Sequence, residues 1–429
     1  MSYFRYTLER QCGGLKAAPY AINVSSFLIF HLEERGIVVR EAVIVAGART
    51  PVGRAKRGTL ANTRPDDLAA LTLKETLKRA DNYDGNIDDV IIGNAMPEAE
   101  QGMNMANNIA GLAGLKEETP AITINRYCSS GLQSIAFGAE RIMLGHSDTI
   151  IAGGAESMSL IPMGGHVIKP NSTLVEQAPE YYMSMGHTAE EVAKRFEISR
   201  EEQDAFAVES HKRAAKAIEE GKFKDEIVPV EVTERFIGKD NKVQERSVMF
   251  EMDEGVRPGT TLEVLGKLRP AFSVTGSVTA GNSSQMSDGA ATVLLMDREK
   301  AVAEGLTPLL KFRSFAVGGV APEIMGIGPV AAVPKALKLA GLEISDIGLF
   351  ELNEAFASQS VQVIKELGLD PEKVNVNGGA IALGHPLGMT GTKLTLSIMH
   401  EMKRRNEQFG VVTMCIGGGM GAAGVFELL

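Results

Sequence analysis

The sequence predicts an α/β protein with two like halves, each a mostly parallel central sheet between helices, and an insertion that interrupts the first half. Three observations predict it. Short apolar runs alternate with longer amphipathic stretches, the pattern of βαβ units whose strands are buried on both faces. The chain also repeats itself. N-I-D-D-V-I-I-G-N-A-M-P-E-A-E-Q from Asn86 resembles E-I-S-D-I-G-L-F-E-L-N-E-A-F-A-S-Q from Glu343, and D-T-I-I-A-G-G-A-E-S-M-S from Asp148 resembles F-G-V-V-T-M-C-I-G-G-G-M-G from Phe409, in the same order. Finally, residues 160–285 are more polar, with a charged run at 231–245, and read as a loop domain over one end of the sheets.

Taken in order, residues 1–38 look unlike the rest. The apolar run at 22–32 is too short and interrupted to span a membrane. No positive stretch precedes it and no small-residue cleavage site follows, while Glu9, Glu33 and Glu34 argue against a mitochondrial presequence. A non-native or disordered extension is expected: Glu33-Glu34-Arg35-Gly36 can be encoded by a purine-rich ribosome-binding sequence, and Val39 by a GTG start. An intact mass of the native protein that includes residues 1–38 would refute this. Residues 39–159 then form the first half, completed by 286–307; 160–285 are the insertion and 308–429 the second half. Strands are predicted at 42–46, 89–93, 149–153, 291–296, 347–351, 374–377 and 411–415. A helix opens at Pro65-Asp66-Asp67, with proline in the first turn and acids at the positive dipole end. Further helices are predicted at 131–145, 204–221, 330–341, 356–368 and 391–406, most ending at glycine or in a basic turn.

Composition narrows the function. With 44% hydrophobic and 23% charged residues, the chain reads as a soluble globular enzyme. A net charge of −10 argues against a general nucleic-acid binder but leaves room for an anionic small ligand held by local cations. Three cysteines without paired spacing make no disulfide framework and suit a reducing, cytoplasmic compartment. No C-x-x-C, H-x-x-H or H-E-x-x-H occurs, so no metal is expected.

Three glycine-rich stretches carry the chemistry: N-R-Y-C-S-S-G around Cys128, N-G-G-A-I-A-L-G-H-P around His385, and M-C-I-G-G-G-M-G around Cys415. Two thiols and an imidazole in separate loops suit a reaction that needs a nucleophile and a base in one pocket. Cys128 follows a strand-like A-I-T-I and precedes a helix, where unpaired N–H groups favour the thiolate. Small neighbours of His385 admit a substrate, and Pro386 stiffens the turn. The glycines after Cys415 can form an oxyanion-binding concavity, and they lack the spacing of a dinucleotide fingerprint.

Together with G-G-A-E-S-M-S, T-A-G-N-S-S and N-E-A-F-A, these stretches resemble the thiolase family from about Val39 to the end, and within it most resemble the bacterial 3-ketoacyl-CoA thiolases (acetyl-CoA C-acyltransferases) of fatty-acid β-oxidation. The resemblance implies the duplicated, layered αβαβα thiolase fold. It also implies ping-pong cleavage of a 3-ketoacyl-CoA, with Cys128 as nucleophile, His385 as base and Cys415 as the acid/base at the α-carbon. His385 and a water held by Asn353 would form one oxyanion hole, and the N–H groups of Cys128 and Gly417 the other. Arg257, Phe272, Ala280 and Ser284 would lie along CoA, with Met185 near the acyl end. CoA is then a substrate and no cofactor is implied; partners would be acyl-CoA and CoA, with a homodimer or homotetramer and association with other β-oxidation enzymes. Ser184 replaces the histidine that acetoacetyl-CoA thiolases usually carry before Met-Gly, which favours the 3-ketoacyl class over that alternative. Cys415 argues against the carrier-protein ketosynthases, which use histidine there. The presence of all four of Cys128, Asn353, His385 and Cys415 argues against a non-catalytic lipid-binding relative.

Overall fold

The computed structural model describes residues 40–237 and 241–429. The extension expected at 1–38 lies outside the described residues. Strand β1 (Ala42–Arg49) shows why the first apolar run has no polar alternation. Val43 and Val45 pack on one side of it and Ala42 and Ile44 on the other, so both faces are buried. Along the chain follow β2 (Gly53–Arg54), α1 (Pro65–Arg79), β3 (Asp89–Gly93), α2 (Met105–Ala113), β4 (Ala121–Ile124), α3 (Ser130–Met143) and β5 (Thr149–Ser157). The more polar stretch holds α4 (Met185–Arg195), α5 (Arg200–Glu219) and a hairpin of β6 (Val230–Ile237) and β7 (Val243–Phe250). Then come β8 (Ser287–Asp297), β9 (Leu310–Gly319), α6 (Gly328–Ala340), β10 (Leu349–Leu352), α7 (Ala357–Leu367), α8 (Thr390–Arg405), β11 (Phe409–Ile416) and β12 (Met420–Leu428).

The duplication is plain in the strand order. One half reads β1-β8-β5-β3-β4 and the other β9-β12-β11-β10, with Val374 bridging Phe350 beyond β10. In both, the pairings nearest the centre are antiparallel and those at the outer edge parallel. The matched segments therefore occupy matched places, β3 with β10 and β5 with β11. Two details of the expected architecture change. The sheets are mixed rather than mostly parallel, because β12 returns from β11 through the tight turn 417–419 and β8 returns after the insertion, neither by a crossover helix. The two sheets are also joined into one of ten strands, where Val43 pairs with Lys311 and Ile44 with Leu310. Edge strands β1 and β9 thereby satisfy backbone groups that would otherwise be bare. The strand expected at 374–377 is reduced to the single Val374 bridge.

Helices and sheets alternate in layers. Leu132, Ile135 and Ile142 of α3 and Leu394 and Ile398 of α8 fill the middle, between Ile44 and Ile150 on one side and Val412 and Met414 on the other. Helices α1 and α2 cover the first half from outside over Val43, Val90 and Ile151. Helices α6 and α7 do the same for the second half over Phe350, Val411 and Val425. In the middle layer, α3 and α8 meet at their N-termini with no room for side chains. A methyl at Gly131 would lie 2.6 Å from the Gly388 carbonyl oxygen and 2.7 Å from Thr392 Oγ1, and one at Gly391 would strike the Leu132 backbone nitrogen. This contact brings the Cys128 and His385 loops side by side. Among the described residues, no helix is long and apolar enough to cross a membrane.

Candidate active site

Cys128 lies in a short 3-10 turn, Tyr127–Ser129, that runs straight into α3. The turn is held in a tense shape. Tyr127 has φ 43°, rare for a bulky residue. Its N–H donates to Asn125 Oδ1 (2.8 Å) and its carbonyl accepts from Ser130 Oγ (2.7 Å), while the Arg126 N–H donates to Ser130 Oγ (2.9 Å). Cys128 packs against Ala95, Met158 and Leu387, the last from the His385 loop. Burial pushes its thiol up to about 12, against the N–H groups of Gly417 and Cys128 itself, which pull it down; Glu156 adds to the rise. The thiolate expected from the helix end is therefore not the resting state: burial outweighs the dipole.

Cys415 is the next-to-last residue of β11, and the turn after the strand needs φ of 82° at Gly418 and 88° at Gly419, which only glycine adopts freely. That turn lets the Gly417 N–H reach the Cys128 sulfur, so the first and third motif loops meet. Cys415 is fully buried among Ala189, Val278, Met325, Ala355 and Phe356. Burial first, and then charge on Cys128, push its thiol well above the ordinary range, so the two sulfurs interact.

His385 is buried, and its two nitrogens have different neighbours. Nδ1 lies 2.6 Å from Thr390 Oγ1, whose own hydroxyl donates to the Pro386 carbonyl at 2.8 Å. Thr390 can then only accept, so Nδ1 carries the hydrogen and Nε2 the lone pair. Asn353 Nδ2 lies 3.3 Å from Nε2 and donates to it. Asn353 Oδ1 is buried with no partner in the protein, a polar end suited to holding a water. Burial, helped by the positive charge of Lys393, lowers the imidazole to about 3, so it rests neutral with its Nε2 lone pair unprotonated.

Two carboxylates that motif reading passed over hold the loops in place. Glu156, in G-G-A-E-S, is fully buried and accepts from Ala95 N (2.8 Å), Gly388 N (2.8 Å) and Gln101 Nε2 (2.8 Å), tying the end of β3 to the His385 loop. Glu354, in N-E-A-F, accepts from Ser210 Oγ (2.6 Å), Asn375 Nδ2 (2.9 Å) and Ile381 N (3.2 Å). A side chain at Gly379 would strike Glu354, which explains the second glycine of N-G-G. The only sequence signal for either carboxylate was an acid inside a motif.

The residues expected along CoA divide into two groups. Met185 and Phe272 pack with the Cys415 cluster, and Phe272 meets Phe356 edge-on at 6.1 Å. Met185 also covers Gly417, with its sulfur 3.3 Å from where a methyl there would sit. Ser284 pairs its N–H with the Ala355 carbonyl at 2.9 Å, beside the N-E-A-F loop. Arg257 and Ala280 reach the surface; the part of Arg257 that is buried, and after it the like charge of Arg54, lower its guanidinium. Met389, in the same loop as His385, is a fully buried core residue. Among the described residues, no group of three or more His, Cys, Asp or Glu is placed to hold a metal.

Comparison with known proteins gives the family. The descriptions "Thiolase, N-terminal domain" and "Thiolase, C-terminal domain" match residues 42–299 and 306–428. The chain belongs to the thiolase family. It is thus an acyltransferase, and its layered α/β fold is the thiolase fold. A Bacillus subtilis (strain 168) protein, 3-ketoacyl-CoA thiolase, is 75% identical over 390 residues, covering 91% of this chain and 100% of that one. Among solved structures, the Bacillus anthracis acetyl-CoA acetyltransferase superposes with a TM-score of 0.82 at 42% identity, covering 91% of this thiolase and 99% of that chain. Human mitochondrial 3-ketoacyl-CoA thiolase gives a TM-score of 0.81 at 38% identity, covering 91% and 99%.

Proposed function

We propose that this thiolase is a 3-ketoacyl-CoA thiolase of fatty-acid β-oxidation, cleaving 3-ketoacyl-CoA with free CoA through an acyl-cysteine. The reading is carried by one observation: two thiols from distant loops meet across Gly417. A neutral imidazole with its lone pair on Nε2 completes the set in the adjoining loop.

The steps follow from these groups. His385 Nε2 takes the Cys128 proton as the sulfur attacks the 3-keto carbon, and the new imidazolium donates to the oxyanion that forms. Collapse breaks the carbon–carbon bond, leaving acyl-Cys128 and the enolate of acetyl-CoA, which takes its proton from Cys415. Asn353, through a held water, and the Cys128 and Gly417 N–H groups donate to the developing oxygen charges. Free CoA then enters, its proton restores Cys415, its sulfur attacks the thioester, and His385 returns a proton to departing Cys128. No cofactor is needed.

Residues 160–285 act as the CoA-binding loop domain between a first half (39–159 with 286–307) and a second (308–429). Arg257 with Arg54 suits the CoA phosphates, Phe272, Ala280 and Ser284 the pantetheine, and Met185 the acyl end. The enzyme works in the cytoplasm as a homodimer or homotetramer, in association with other β-oxidation enzymes. The bare edge of β4, with Ile122 48% exposed, supports self-association. A dedicated acetoacetyl-CoA thiolase is the second reading, kept by the likeness to the Bacillus anthracis acetyltransferase. Thiolysis rates across 3-ketoacyl-CoAs of increasing length decide between them: turnover of long substrates supports the first, and activity confined to acetoacetyl-CoA overturns it. Cys128→Ser should lose at least ~10³-fold in turnover; a normal rate would refute the mechanism.

A further inference from the structure

Gln359 stands in the first turn of α7, a few residues past Asn353, and is fully buried. Its Oε1 lies 3.5 Å from Cys415 Sγ and accepts the thiol hydrogen. Its Nε2 is also buried, yet has no hydrogen-bond partner in the protein. A buried donor left unpaired is unfavourable and calls for a reason. Packing supplies none. The side-chain stem sits against Gly326, where a methyl would lie 2.6 Å from Gln359 Cβ, and an unbranched apolar side chain would fill the same space without an orphaned N–H.

We propose that Gln359 is a positioning residue for Cys415 that follows its protonation state. Oε1 accepts from the thiol, and a half-turn of the amide presents Nε2–H to the thiolate. The inference rests on the reading of Cys415 as the acid/base at the α-carbon. Each turnover takes Cys415 from thiol to thiolate and back, so its neighbour must accept in one state and donate in the other. An amide does both, because its oxygen and NH₂ ends are nearly the same size and exchange without moving neighbours. The bond it gives the thiolate is charge-assisted and stronger than the one it accepts from the thiol. Burial among apolar side chains opposes the thiolate, and the amide N–H offsets part of that opposition.

Two partial reactions separate the two cysteines. Exchange of the α-hydrogens of acetyl-CoA with deuterated water reports Cys415, and exchange of labelled CoA into acetyl-CoA reports Cys128 and His385. Gln359→Met keeps the length and loses both polar ends. It should slow α-hydrogen exchange by about 10- to 100-fold, the worth of one hydrogen bond to a charge. The pH at which that exchange rises should move upward, with CoA exchange little changed. Gln359→Leu also loses both polar ends, in a shorter side chain, and should move the same profile the same way; it carries the test if Gln359→Met does not fold. Equal losses in both reactions, or an unmoved α-exchange profile, would overturn the proposal. Cys415→Ala tells the two levels apart. If it still exchanges α-hydrogens at the normal rate, the role given to Cys415 fails first and that of Gln359 falls with it.

Discussion

Burial acts on the Cys128 thiol and the His385 imidazole in opposite directions on the pH scale and leaves both uncharged, one raised to about 12 and the other lowered to about 3. The nucleophile is made during the reaction and not stored before it. Alkylation of Cys128 in the resting enzyme should therefore keep accelerating as pH rises through the ordinary thiol value of 9.0, without a plateau there; a plateau near or below it would refute a neutral resting thiol. His385 stays a free base down to well below the ordinary histidine value of 6.5, so thiolysis should show no acid limb centred there. The same lowering has a stability consequence. His385 and His211 titrate at about 3 and about 4 when folded, and His400 is also lowered, so the unfolded chain binds more protons between those values and 6.5. Their contribution is present above 6.5 and is lost as pH falls through that window. The melting temperature should fall from about pH 7 to about pH 5, and a rise would contradict the assignment. The reacting side chains were legible because each sat in a glycine-rich loop of its own. The groups that set their states were not: Glu156 and Gln359 act on residues that only the folded chain brings near, and Thr390, five residues past His385, shows its bond to the imidazole only once the loop is folded.

Helices α3 and α8 place the catalytic loops through a contact of bare backbone at Gly131 and Gly391. Because the obstructing atoms are backbone, the helices themselves would have to move to admit a methyl. Gly131→Ala should cost roughly 1–3 kcal/mol of stability by overpacking. It should lower turnover as well, read from urea midpoints and steady-state rates of the same preparation; a variant unchanged in both would mean the helices have slack. Glycine also explains which elements escaped notice. Met420-Gly421-Ala422-Ala423-Gly424 looks like loop, yet forms β12, because Gly421 lies against Gly328 at the start of α6 and no side chain fits between them. Strand β9 escaped differently. Its residues alternate buried and half-buried, and Lys311 and Arg313 on the exposed face masked the apolar one.

At the level of the molecule, the layered arrangement was legible because the repeat and the buried strands speak of it directly. Strand direction was not, because antiparallel β8 and parallel β3 are equally apolar and buried. The surface makes one prediction of its own. Edge strand β4 leaves Ile122 bare, with Leu112 and Phe137 also exposed. If the proposed homo-oligomer forms through this edge, Ile122→Lys should give a monomer on size-exclusion chromatography with light scattering; an unchanged oligomeric mass would place the interface elsewhere. The strand order also has a consequence for synthesis on the ribosome. In each half, the strand that bridges the sheet is the last of that half to be made: β8 lies between β1 and β5, and β12 between β9 and β11. While the insertion is still being translated, β1 and β5 wait with open flanks for a neighbour not yet synthesised. A nascent thiolase thus cannot close the first half of its sheet until β8 emerges.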